Sequence, residues 1–157
     1  MKRIKLTQNK WAIVDDEDYE RLNQHKWYFH KRYAIRVIRI NKHKKTIQYM
    51  HWVVIGKPKK GFVTDHINGD GLDNRRGNLR ICTQVENRSN STRNKNNTSG
   101  YKGVMWRKKA KKWVVKICVN YRLIHLGYFD DIKEAAKAYN DAAIKYHKKF
   151  ARLNVID

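Results

Sequence analysis

Apolar side chains recur at two spacings along this chain of 157 residues, alternating in some stretches and falling every three to four positions in others. Residues 10–14, 26–30, 33–40 and 45–49 are short runs rich in β-branched and aromatic side chains, and they predict a small, mostly antiparallel β layer. Asn41 to Lys44 supply a turn between the last two runs. Between the first two, Asp15, Asp16, Glu17 and Asp18 precede Tyr19 and Leu22, and Lys26 follows. Acids at the start and a base near the end favour a short helix through capping and the helix dipole.

Residues 50–55 predict a short apolar helix stopped by Gly56 and Pro58. Phe62, Val63 and Thr64 read as a strand running into Asp65 and His66, and the turn-rich Asn68-Gly69-Asp70-Gly71 follows. A second strand at 79–82 ends at Thr83, and Thr83 with Glu86 has the spacing of a capping box, so a helix starts there. Residues 88–99 are polar, low in complexity and unable to bury a core. Beyond them, 103–107, 113–119 and 123–129 predict three strands. Ile132, Ala135, Ala136, Tyr139, Ala143 and Tyr146 repeat at helical spacing within 131–147. Ala135, Ala136, Tyr139, Ala143 and Tyr146 are the residues expected to face the sheet.

The resulting fold class is α+β. A small N-terminal β layer leads into a strand–loop–strand–helix module, and a three-stranded antiparallel sheet packed on one helix follows. The expected domains are 1–90, with a motif core at 62–90, a linker at 91–99 and a second domain at 100–157.

Thirty-six Lys and Arg against 14 Asp and Glu give a formal charge of +22, which implies a polyanionic partner, with nucleic acid the first candidate. The apolar runs are too short to span a bilayer, and no apolar signal core follows Met1. The expectation is a soluble, cytoplasmic protein with no membrane partner. Cys82 and Cys118 stand alone, which disfavours a disulfide framework and a structural zinc knuckle. From Asn87 to Phe129 there is no Asp or Glu, while Lys and Arg are dense and Trp106 and Trp113 lie among them. That combination suits phosphate contacts with aromatic packing on sugars or bases.

The segment 65–87 sets a carboxylate beside an imidazole, then an Asn-rich loop, then an Asn one turn into a capped helix. Phosphodiester hydrolysis needs an activated water and a cation to neutralise the phosphate. A His that is neutral near pH 7 serves as base. Asp65 and Asn87 offer the hard oxygen donors that magnesium or manganese accepts. Adjacent strand residues point to opposite faces, yet Asp65 and His66 must serve one site, so the chain is expected to leave regular strand geometry there.

Asp65-His66, then Asp73-Asn74 with Asn78-Leu79-Arg80, then Thr83 with Asn87, resemble the HNH endonuclease family in its phage and homing-endonuclease branch, over at least residues 50–90. The resemblance implies a ββα-metal module with His66 as general base and Asp65 and Asn87 as ligands of one divalent ion. Asn78 would tie down the loop, Asp73 and Asn74 would be scaffolding, and His51 would support the site. It also implies products with a 3′ hydroxyl and a 5′ phosphate. Residues 99–154, from SGYKGVMW to FARLN, look like the APETALA2 DNA-binding domain. That likeness implies a sheet laid in the major groove, with Lys102, Trp106, Arg107, Lys109, Trp113, Lys116 and Arg122 at or beside contact positions. Lys102 stands where that family usually has Arg.

These readings converge on a magnesium- or manganese-dependent HNH endonuclease that nicks or cuts double-stranded DNA, similar to homing endonucleases. The alternative is a non-catalytic DNA-binding transcription regulator with a vestigial HNH segment, and an RNA-binding protein is a third reading. No protein partner is identified, and His25, His30, His43, His125 and His147 show no metal-ligand pattern.

Overall fold

A computed structural model describes residues 1–156, which divide into two compact units, Met1–Thr83 and the chain from Gln84 onward. The first unit opens with β1 (Lys2–Lys5), paired antiparallel with β2 (Trp11–Val14). The hydrophobic pattern does not reveal β1, because Ile4 is its one buried residue and the other three are Lys, Arg and Lys. α1 (Asp16–Asn23) follows at the acidic run. Its N-cap Asp15 makes no side-chain bond to the helix. The Asp15 carboxylate instead accepts the Arg76 backbone amide at 2.8 Å, so the cap expected from the acids is spent on a distant segment.

β3 (Tyr28–His30), β4 (Tyr33–Arg39) and β5 (Lys45–Tyr49) form an antiparallel sheet in that order. α2 (Met50–Ile55) comes directly off β5 and ends at Gly56, whose φ of +88° is left-handed and open to glycine. β6 (Phe62–His66) and β7 (Leu79–Thr83) then pair as a hairpin around a twelve-residue loop at 67–78. Ile4, Ala12, Val14, Leu22, Trp27, Ala34, Met50, Val54 and Leu79 are buried together. They draw the N-terminal hairpin, α1, the three-stranded sheet, α2 and β7 onto one core. Trp27 is its largest member, and its indole N–H donates to the Leu22 carbonyl at 2.8 Å, so the ring is buried without orphaning its donor.

In the second unit α3 (Gln84–Ser89) begins immediately after Thr83. β8 (Val104–Arg107), β9 (Lys112–Val119) and β10 (Arg122–Phe129) form an antiparallel sheet with β9 in the centre, backed by α4 (Ile132–His147). Asp131 caps α4, accepting the amides of Lys133 at 2.7 Å and Glu134 at 2.9 Å. Val104, Val115 and Ile117 pack against Ala135, Tyr139, Ala142 and Ala143. Small residues on the helix let it approach the sheet, and Tyr139 fills the space beside Gly103, where a Cβ would collide with its ring. Tyr146, expected on this face, is exposed; Ala142 and His147 are buried instead. The protein is thus α+β, with several small antiparallel sheets and a C-terminal helix on a three-stranded sheet. Among the described residues no helix is long and apolar enough to cross a membrane.

Candidate active site

Asp65 and His66 lie on β6, and the expected departure from strand geometry does not occur. The ladder runs on regularly through Asp65 opposite Arg80 and His66 opposite Leu79. The two side chains therefore leave opposite faces of the hairpin, and both faces are covered there, leaving Asp65 4% and His66 5% exposed. Arg80, directly across the ladder from Asp65, donates to one carboxylate oxygen through Nε at 2.8 Å and through a terminal nitrogen at 2.7 Å. This charge-assisted, two-point contact anchors the carboxylate.

His66 sits among rings. Its centroid lies 5.7 Å from Tyr33 on β4 and 5.2 Å from His51 on α2, and the two imidazoles are nearly perpendicular. His51 stacks on Tyr49 at 5.1 Å. Burial lowers the His66 pKa below its ordinary 6.5, a hydrogen bond with Asn74 opposes that, and the Arg32 charge lowers it further against the nearby Asp65 and Asp70 charges. The imidazole is held in its neutral, basic form at pH 7. Burial, aided by the His66 charge, pushes His51 down to about 3, so it too stays neutral.

The loop between the strands is held from several sides. The Asn78 side-chain oxygen accepts the Asn68 amide at 2.9 Å, and its NH₂ donates to the Asp73 carbonyl at 2.8 Å and to the Asn68 side chain at 3.0 Å. Buried Asp73 accepts from Asn68 at 2.8 Å and from Arg75 at 2.8 and 2.6 Å, and the Arg75 bonds lower its pKa. The Asn74 amide donates to the Ile13 carbonyl and the Ile13 amide to the Leu72 carbonyl, so the loop is pinned to β2 by a parallel bridge between Ile13 and Asp73. Arg76, in the short 3₁₀ helix Arg76–Asn78, meets buried Asp18 of α1 through two bonds of 2.9 Å, and Asp18 also takes Arg21. Gly71 passes so close to the Arg32 carbonyl and the Tyr33 ring that no Cβ fits there.

These buried neutral imidazoles set an acid limit on stability. The unfolded chain binds protons at His51 and His66 below pH 6.5, whereas in the folded chain both pKa values are lowered, that of His51 to about 3. Stability is therefore full above 6.5 and falls as the pH drops, by up to about 1.4 kcal/mol per pH unit from His51. Urea midpoints measured from pH 7 to pH 4.5 should fall accordingly, and His51→Phe should flatten the decline; an unchanged slope in that variant would contradict the assignment.

Asn87 lies on α3, one turn past β7 in the chain. On the sheet of the second unit, cross-strand register sorts the expected contact residues by face. Trp113 shares parity with buried Val115 and Ile117, and Trp106, its direct partner, has its ring 5.0 Å away. Both tryptophans therefore lean to the helix side, as does Arg122, which pairs with Val119. Arg107 and Lys116 lie on the opposite, helix-free face with Met105, His125 and Tyr128. Lys109 is in the turn between β8 and β9. Lys102, expected at the DNA surface, instead donates its ammonium to the Ser89 carbonyl at 2.7 Å and the Ser91 carbonyl at 2.6 Å.

Three features escaped the sequence reading. Arg80 stands directly across the hairpin register from Asp65, a pairing that the local motif does not reveal. Arg32 and Tyr33 beneath His66 carried no motif. The third is a second cationic surface: residues 21–64 contain no Asp or Glu, and the β4–β5 ribbon exposes Arg39, Lys42, Lys44 and Lys45 beside Val37 and Ile47.

Comparison with known proteins places these two constellations in families. Residues 54–89 match the HNH endonuclease model, and residues 99–149 match the AP2 domain. The chain thus joins an HNH endonuclease module to a C-terminal AP2-type domain, and DNA is its partner. It is similar to Protein 3.8 of Escherichia phage T7, being 41% identical over 97 residues, which make up 62% of this chain and 79% of that protein. The chain belongs to the family of that phage protein. No solved structure gives a significant match.

Proposed function

We propose that this protein is a divalent-metal-dependent endonuclease that hydrolyses phosphodiester bonds of double-stranded DNA, with β6, β7 and α3 as a ββα-metal module. The observation that carries the reading is a buried imidazole, His66, kept neutral near pH 7 on a hairpin whose loop is braced to α1 and β2, with the carboxylate of the preceding residue clamped by Arg80 on the opposite face. A surface loop of turn-forming residues has no need of that bracing.

In this mechanism His66 accepts a proton from water as its oxygen bonds to phosphorus, and the bond from phosphorus to the 3′ oxygen breaks. Asn74 and Arg32 set the basicity of His66, and Tyr33 and His51 fix its ring plane. Asp65 and Asn87 each carry a hard oxygen donor of the kind that magnesium or manganese accepts, and these ions keep most of their waters. A bound ion would supply charge neutralisation for the phosphate and the departing oxygen. The helix-free face of the C-terminal sheet, with Arg107 and Lys116, and the β4–β5 ribbon supply the phosphate contacts.

Product chemistry tests this directly. Nicks made in duplex DNA should be sealed by DNA ligase without prior end repair, because they carry a 3′ hydroxyl and a 5′ phosphate. Nicks that ligase seals only after 3′ phosphate removal would contradict the proposed bond cleavage.

A further inference from the structure

Lys102 is the one expected DNA contact whose charge is turned inward. Its ammonium donates to two backbone carbonyls, those of Ser89 and Ser91. Ser89 is the last residue of α3, so its carbonyl is among those a helix leaves without an internal partner, at the end where the dipole favours a cation. The backbone of Lys102 is itself fixed. Its amide donates to the Asn154 side chain at 2.6 Å, and Asn154 returns a bond to the Lys102 carbonyl at 3.2 Å. Asn154 is held in turn by a reciprocal pair with Asn140 of α4, at 2.7 and 2.9 Å. A chain of bonds therefore runs from α4 through Asn154 and Lys102 to the end of α3. Burial beside Arg152 lowers the Lys102 pKa to about 8, consistent with an ammonium withdrawn from water.

We infer that Lys102 is a positioning residue: it caps α3 from within the AP2-type domain and thereby sets the orientation of Asn87, which α3 carries. The inference rests on the nuclease reading for the role of Asn87. The cap itself does not. The same observation removes Lys102 from the phosphate-contacting set, so the domain reads DNA with one cation fewer than its sequence offers. Two charge-assisted bonds at the end of a six-residue helix are a large share of what orders it, because so short a helix has little stability of its own.

The test uses the full chain with Lys102→Met, Lys102→Arg and, as an independent route to the same cap, Asn154→Ala. Amide exchange of α3 without metal or DNA should speed up by about tenfold in Lys102→Met and in Asn154→Ala, and return close to wild type in Lys102→Arg, which can donate to both carbonyls. The salt dependence of duplex binding should keep its wild-type slope in Lys102→Met, and the magnesium concentration for half-maximal nicking should rise about tenfold. A binding slope reduced by about one with α3 exchange unchanged would make Lys102 a phosphate contact and overturn the proposal. If the wild-type protein fails to nick DNA, the nuclease reading falls alone, because exchange and slope still decide whether the cap exists.

Discussion

His66→Ala is expected to lower the rate of DNA nicking by about 10³-fold while leaving the Kd for duplex DNA within about twofold. The imidazole is nearly buried, it packs against Tyr33 and His51, and removing it takes away no cation, because the ring is neutral at pH 7. Loss of binding in parallel with activity would show that His66 holds DNA rather than activating water. The pH dependence gives a second handle on the same residue. Burial and the Arg32 charge hold the His66 pKa below 6.5, so the acid limb of the rate profile should lie below 6.5. Arg32→Ala removes one lowering influence and should move that limb upward. Asp70→Asn removes a raising one and should move it downward.

The second large effect is expected at Asp65. Asp65→Ala should abolish metal-dependent nicking and also destabilise the protein by about 3 kcal/mol, because it strands Arg80, whose side chain is only 16% exposed. Most substitutions at catalytic groups leave stability alone or raise it, so a combined loss is diagnostic of this ion pair. Adding Arg80→Met to Asp65→Ala should restore much of the stability and none of the activity. Chemical denaturation of the single and double variants, alongside their nicking rates, measures both outcomes. Equal stability of Asp65→Ala and wild type would mean that the pair contributes nothing.

Several parts of this architecture are legible in the sequence because they rest on local rules. α2 stops at Gly56, α4 starts at its Asp131 cap, and the β6–β7 hairpin is marked by short apolar runs on either side of a loop of Asn, Asp and Gly. The acid-free run after Asn87 likewise points to phosphates through its composition alone. What is not legible depends on partners distant in sequence. Asp18 reads as one acid in a helix start, yet it is buried because Arg76, 58 residues on, reaches it. Tyr33 reads as a strand aromatic, yet it forms one wall of the His66 site. Lys102 shows the limit most clearly, since lysine on a basic surface and lysine capping a helix are the same letter, and only the carbonyls of Ser89 and Ser91 decide between them. The faces of Trp106 and Trp113, by contrast, can be read from their parity with Val115 and Ile117.

If this family member cuts DNA with His66 and a divalent ion, nicking should need both. Supercoiled plasmid incubated with the wild-type protein in magnesium, in EDTA, and with the His66→Ala protein in magnesium tests it most directly. Conversion to the relaxed circle is expected in the first reaction and none in the other two. Relaxation that persists in EDTA or with His66→Ala would contradict it, and intact plasmid in all three reactions alongside salt-sensitive binding would favour a DNA-binding regulator.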